Sequence, residues 1–332
     1  MRKISGQMAY LITVLAGCAL LIGYVVWPEA QAGPQRLALE DIPFDGAQAY
    51  EYLKQICDLG PRVSGSTGMR AQQEMLLEHF EQFGAETKLQ PFKARHPRDG
   101  SAVSMANLIA RWRPERAERI LLCAHYDTRP FPDRDRTNPE GTFLGANDGA
   151  SGVALLMEMA RHVGELDGAV GIDFVLFDGE ELVFGERDEY FLGSTHFARD
   201  YVANRPPGAY RWGVLLDMVA DADLKILQEV NSMRWTDTRP LVESIWSTAK
   251  RLGVREFVSR RGPDLRDDHL PLHEIARIPA CDVIDFEYPA WHTQADAPQQ
   301  CSALSLAKVG WVIQEWLKTE VAKPAPKPAR RK

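Results

Sequence analysis

Separated groups of residues in this 332-residue chain carry side chains suited to metal binding and proton transfer. The densest is Asp178-Gly179-Glu180-Glu181, which follows an apolar run, Ile172 to Phe177, that predicts a buried strand. Adjacent carboxylates at a strand end are costly to hold close unless a cation or a shared proton balances them. Gly179 lets the backbone turn sharply before the pair. Neighbouring residues point in different directions, so one glutamate can hold a metal while the other carries a proton. His125-Tyr126-Asp127 ends the apolar run from Ile120, at a spacing where a carboxylate can orient an imidazole. Asp148 lies among the small residues Gly145 to Gly152, and Asp217 follows Val214-Leu215-Leu216. Asp267-Asp268-His269 precedes Leu270-Pro271-Leu272, and Trp291-His292-Thr293 follows Tyr288-Pro289. Singly, each group reads equally well as a turn or a helix cap. Together, His, Asp, Glu, Asp and His at successive strand ends make a zinc-type set of imidazole nitrogen and carboxylate oxygen donors.

Such a set needs elements that bring distant residues together. Helical spacing is expected over Asp45 to Leu59, Gly68 to Phe83, Ser151 to Val163, Thr238 to Leu252 and Ser302 to Leu317. Strands are expected over Lys88 to Phe92, Ala106 to Trp112, Ile120 to His125, Phe174 to Phe177, Val214 to Leu216 and Ala280 to Phe286. Strands alternating with helices predict an α/β fold, a three-layer sandwich with a mainly parallel, mixed central sheet. Such sheets place ligands at the carboxyl ends of their strands, where the polar residues fall.

Composition is that of a globular protein, 45% hydrophobic and 26% charged, long enough for a large core. A net charge of −7 argues against nucleic acid as a partner. Arg2 and Lys3 precede an apolar run from Met8 to Trp27, long enough for a membrane anchor. Ala30-Gln31-Ala32 offers a signal-peptide cleavage site, and Leu15-Ala16-Gly17-Cys18 resembles a lipoprotein box. Residues 1–33 are therefore expected to be an anchor or signal segment, and every version of that reading exports the remainder. Residues 34–44 are expected to be a linker, 45–318 the catalytic domain and 319–332 a solvated Lys/Pro/Arg tail. Cys57, Cys123, Cys281 and Cys301 have no metal-like spacing; Cys281 and Cys301 could pair, or all could be buried thiols.

The order His125-x-Asp127, Asp148, Glu180-Glu181, Asp217, His292 resembles the M28 zinc aminopeptidase superfamily over about residues 45 to 318, with Gly60-Pro61-Arg62 near the start. Within it the chain is most similar to the glutaminyl-peptide cyclotransferases, or glutaminyl cyclases. The long loop before Asp148, the stretch Leu182 to Leu192 before Gly193-Ser194, Asp267-Asp268-His269-Leu270-Pro271 and Trp291-His292-Thr293 carry that likeness. The resemblance implies a zinc-exopeptidase-like fold and one zinc, a Lewis acid held by Asp148, Glu181 and His292. It also implies Glu180 as the proton carrier, Asp217 and Asp267 as carboxylates hydrogen-bonded beside it, and Trp291 as a pocket wall; His269 is expected to orient the carboxylates adjacent to it. The implied substrate is the N-terminal segment of a peptide or protein, its glutamine cyclised to pyroglutamate with loss of ammonia. The competing implication is a two-zinc aminopeptidase, with Asp148 bridging and His125 and Asp217 on the second metal. A third reading, a binding ectodomain without metal, predicts damaged ligands, and none is damaged. Two departures from animal cyclases stand out: Leu182 to Leu192 contains no tryptophan, and Cys281-Asp282-Val283 replaces a histidine-bearing strand.

Overall fold

The computed structural model describes residues 37–323 except 167, 186 and 205–207. The expected anchor, signal and lipoprotein features, and the tail from 324 onward, lie outside the described residues. No described helix is long and apolar enough to cross a membrane.

Six strands form one sheet: β1 (Glu86–Arg95), β2 (Ala102–Trp112), β3 (Glu118–His125), β4 (Gly171–Phe177), β5 (Ala209–Asp217) and β8 (Ala280–Ile284). Their spatial order is β1-β2-β4-β3-β5-β8. β1 pairs antiparallel with β2, and β2 with β4, while β4, β3, β5 and β8 run parallel. β6 (Ile226–Gln228) and β7 (Phe257–Arg261) make a separate two-stranded parallel sheet. The mixed, mainly parallel sheet expected from the sequence is thus present.

β4 is buried at every position, and β3 from Arg119 onward. Runs such as Ile120-Leu121-Leu122-Cys123-Ala124 are covered on both faces, as crossover helices require. On one face, Leu121, Cys123, Val175 and Phe177 pack with Phe197 and Ala198 of the helix Leu192–Ala203 and with Leu272. The helices Gly46–Asp58, Ser151–Val163 and Ala303–Ala322 pack against one another, and Ser151–Val163 lies against β3.

Two domain boundaries differ from expectation. The closing helix continues to Ala322 with Glu320 and Val321 buried, so the domain passes 318 and residues 319–322 are not tail. Phe44, in the expected linker, is 1% exposed and sits where Gly310 leaves room in that helix. Asp267-Asp268-His269, polar in sequence, leads into the short helix His269–Glu274 and is buried throughout. Cys57, Cys123, Cys281 and Cys301 are buried free thiols.

Candidate metal centre and active site

The carboxyl ends of the parallel strands converge on one crevice of about 570 Å³. His125 is the last residue of β3, Asp178 to Glu181 follow β4, Asp217 ends β5, and His292 lies in the loop after β8. Asp148 comes from the segment just before the helix Ser151–Val163. It caps nothing: the cap position is Ala150, with no side-chain hydrogen bond. Asp296 holds Asp148 in place by accepting hydrogen bonds from the backbone N–H groups of Asn147 (2.8 Å) and Asp148 (3.1 Å). Gly149, at φ +98°, brings this segment so close that a Cβ would meet the Asp127 carbonyl oxygen at 2.6 Å.

The glutamate pair is held by its backbone. Asp127 accepts hydrogen bonds from the N–H groups of Glu180 (3.2 Å) and Glu181 (3.0 Å). Asp178 accepts from Ala106 N–H (2.9 Å) and the Ser64 hydroxyl (2.6 Å). Asp127 therefore does more than orient His125, whose Nδ1 lies 3.8 Å away. Gly179 makes the turn at φ +77°, and a Cβ there would clash with the flexible end of Met105 and touch Leu192 at ordinary contact distance. Met105 can swing aside, but the backbone cannot. Gly179→Ala is accordingly expected to cost about 1–2 kcal/mol, the left-handed penalty for an L-residue. Denaturant midpoints of the two proteins check this; an unchanged midpoint would mean that the turn relaxes.

Two ligand clusters share Asp148. Asp148, Glu181 and His292 present donor atoms within 4.8 Å of one another, as do His125, Asp148 and Asp217. His292 Nε2 is 3.2 Å from Glu181 Oε1 and 3.6 Å from Asp148 Oδ2. His125 Nε2 is 3.2 Å from both Asp148 Oδ1 and Asp217 Oδ1. Asp148 Oδ2 and Glu181 Oε2 are buried without a hydrogen-bond partner among the described residues. Orphaned anionic oxygens beside imidazole nitrogens fit a divalent cation with nitrogen and oxygen ligands, zinc above all.

The electrostatics agree. Burial and the neighbouring Glu181 push Asp148 up to about 6, against the pull of His125. Burial raises Glu181 too, but His292 and Arg129 outweigh it and hold that carboxyl at about 2. Burial lowers His292, yet Glu181, Asp133 and Asp148 lift it to about 9. Without a metal, protons on imidazoles balance this negative cluster; a cation would take over that task.

Glu180 lines the same crevice, together with Asp217, Asp267 and Trp291. Burial and the adjacent Glu181 push its carboxyl well above the ordinary glutamate range. Asp267 is likewise raised by burial and by repulsion from Asp217 and Asp268. Trp291 lies against His292 (ring centroids 4.1 Å apart) and Phe286 (4.7 Å), with the Arg134 guanidinium 3.8 Å above its ring. All the site residues expected from the sequence thus meet in one place.

The sequence reading passed over several wall residues. Arg129 donates to Glu181 Oε1 (Nη1, 2.5 Å) and also to Asp133 (2.9 Å), while His292 Nδ1 is 3.1 Å from Asp133. This chain of charges orients two ligands at once. Its signal was Thr128-Arg129-Pro130, directly after the His-x-Asp motif. Tyr190 and Phe191 supply aromatic wall in the stretch that lacks tryptophan. Phe191, Met218 and His292 have positive φ (59°, 46°, 57°), a strained geometry for residues with side chains and one that gathers here at the crevice. His269 lies between Glu229 (3.4 Å) and Asp282 (3.8 Å), so it does not orient the adjacent Asp267 and Asp268 as expected.

A mainly parallel sandwich with a two-cluster carboxylate and imidazole centre at its strand ends defines a metal-dependent exopeptidase-like protein. A family model described as Peptidase family M28 matches residues 107–317, and the chain belongs to that family. Its likeness runs to the glutaminyl cyclase branch. The solved glutaminyl cyclase of Fimbriiglobus ruber is 41% identical with a TM-score of 0.80, over 86% of this chain and 99% of that one. Glutaminyl-peptide cyclotransferase of Bos taurus is 24% identical over 76% of each chain. A solved leucine aminopeptidase precursor of Bacteroides thetaiotaomicron is 34% identical with a TM-score of 0.76, over 82% of this chain and 96% of that one.

Proposed function

We propose that the protein is a zinc-dependent glutaminyl-peptide cyclotransferase, converting N-terminal glutamine of peptides or proteins to pyroglutamate with release of ammonia. The observation that carries this reading is Asp267 buried beside Asp217 in the crevice that also holds Glu180, next to an intact Asp148, Glu181 and His292 cluster. One zinc held by those three residues would supply a Lewis acid for the γ-amide carbonyl.

The chain's own residues then have separate tasks. Glu180, its affinity for protons raised by burial and Glu181, takes a proton from the substrate α-amine as that nitrogen bonds to the carbonyl carbon of the side-chain amide. It returns the proton to the amide nitrogen, which leaves as ammonia. Asp267, its affinity for protons raised by burial and by the repelling charge of Asp217, keeps a proton, so the carboxylates beside Glu180 are not all charged together. Trp291 and Phe286 wall the crevice and hold the side chain against its own amine, where proximity supplies much of the rate.

The second cluster, His125, Asp148 and Asp217, supports a runner-up: a two-zinc aminopeptidase in which Glu180 activates water. The two are separated by incubating the zinc-loaded protein with a Gln-peptide and with aminoacyl amides, following ammonia and free amino acid separately. Ammonia with the matching mass loss is expected, with close to one zinc per chain. Free amino acid without cyclisation, or two zincs, would favour the aminopeptidase. Removing zinc with a chelator is expected to abolish turnover and zinc to restore it; full activity after verified metal removal would overturn both readings. Export is part of the proposal and rests on the N-terminal segment's sequence alone.

A further inference from the structure

A second groove, about 960 Å³, opens beside the active-site crevice, and the two share Tyr190 and Arg266 as a common wall. It lies between the end of β1, the loop before the helix Leu192–Ala203, and that helix itself. Its lining is cationic in a chain whose net charge is −7: Lys93, Arg95, Arg187, Arg199 and Arg266 face two carboxylates, Asp188 and Glu189. Asp188 is already engaged by the N–H of Phe184 at 2.8 Å. Among the described residues none of the five cations makes an ion pair, although the chain pairs many of its other charges. Arg266 instead lies over the rings of Tyr190 and Phe191 (5.9 Å to each centroid), poised at the boundary between groove and crevice. The floor includes Phe92 stacked on His196 (4.7 Å, 15°), a flat surface for backbone or side chain.

A peptide substrate must leave the crevice, since only its first residue reacts. An extended chain advances about 3.3 Å per residue, so a few residues beyond the glutamine reach the neighbouring groove. We propose that this groove binds the downstream part of the substrate and selects peptides with Asp or Glu soon after the N-terminal glutamine. The inference rests on the cyclotransferase reading and adds the substrate class. Clustered cations of one sign attract an oppositely charged segment and speed its capture, with a strength that falls as salt rises. The groove touches no reacting atom, so selection acts on KM and leaves kcat alone.

The test compares four substrates on the zinc-loaded protein: a Gln-Ala amide, and three Gln-peptides of equal length with acidic, neutral or basic residues at positions three to six. At low salt the acidic peptide is expected to show a KM about five- to tenfold below the neutral one, a gap that closes as salt rises, because exposed ion pairs are individually weak and screened. Arg95→Glu with Arg199→Glu is expected to erase or invert the preference while Gln-Ala amide turnover stays unchanged, which also shows that the variant folds. Equal KM values for the three tails at low salt would overturn the inference while leaving the cyclotransferase reading intact. Failure to cyclise any of the four would overturn that reading itself. Tail-independent turnover combined with binding to anionic vesicles, lost in the double variant, would make the groove a membrane contact instead and also overturn the inference.

Discussion

Replacing Glu180 by glutamine is expected to lower kcat about a thousandfold while leaving the fold and the bound metal in place, general acid–base catalysis being worth roughly 10²–10⁴-fold. Glutamine has nearly the same shape but cannot cycle a proton. The Glu180 carboxylate makes no hydrogen bond to the rest of the described chain, and the turn is held by its backbone N–H on Asp127, which the substitution keeps. The cluster of Asp148, Glu181 and His292 is untouched, so zinc content should match that of the parent. Loss of zinc instead would mean that the roles of the two glutamates are exchanged. The pH profile gives a second reading. Burial and Glu181 raise Glu180 above its ordinary 4.5, although a cation at Glu181 offsets part of that push. The group must be deprotonated to accept the amine proton. Activity in kcat/KM should therefore rise with pH along an acid limb lying above 4.5, and that limb should vanish from the residual activity of the variant.

Replacing Arg119 by leucine is expected to cost about 3–5 kcal/mol of stability, because it strands a buried carboxylate. Asp173 lies within β4, fully buried, at the end of the sheet away from the crevice. Arg119 Nε donates to its Oδ1 at 2.9 Å, and the same guanidinium donates to the carbonyls of Arg113 (2.8 Å), Trp112 (3.1 Å) and Ile172 (3.3 Å). The leucine would remove all four partners at once. Arg111, 3.4 Å from Asp173, and the Tyr210 hydroxyl remain and soften the loss. For a domain of this size the melting temperature should fall by roughly 6–12 °C. Activity per folded molecule should hold, since none of these groups reaches the site. Pairing the change with Asp173→Leu should recover much of the loss, as a well-packed apolar pair replaces a buried ion pair at little cost. A double variant no better than the single one would mean that packing, not the stranded charge, sets the penalty.

How much of this was legible in the sequence depends on the range of the force concerned. The strand cores were plain because Ile120 to Ala124 and Phe174 to Phe177 are apolar without interruption, which only a strand covered on both faces tolerates. The helix Ser151–Val163 was bounded to the residue, since Gly149 and Gly152 flank its start and Gly164 follows its end. Element ends were less legible: β1 runs from Glu86 to Arg95 because it pairs residue for residue with β2, a constraint that local composition does not carry. The helix Leu192–Ala203 went unread for a similar reason. Its inward face, Phe197 and Ala198, is short, and its stability comes from packing on Val175 and Phe177.

By itself the sequence determined the alternation of strands and helices, the residue types at the strand ends, and hence a metal-binding centre of imidazoles and carboxylates, because these follow from local patterning and donor chemistry. Only the tertiary structure decided that Asp148 is shared by two clusters, that Asp127 pins the backbone of the glutamate pair, and that Arg129 ties Glu181 to Asp133. It alone decided that a cationic groove adjoins the crevice across Tyr190 and Arg266. Each of these depends on distances between residues far apart in the chain. Coulombic and hydrogen-bond energies are set by those distances, which only the closed sheet and its packed loops establish.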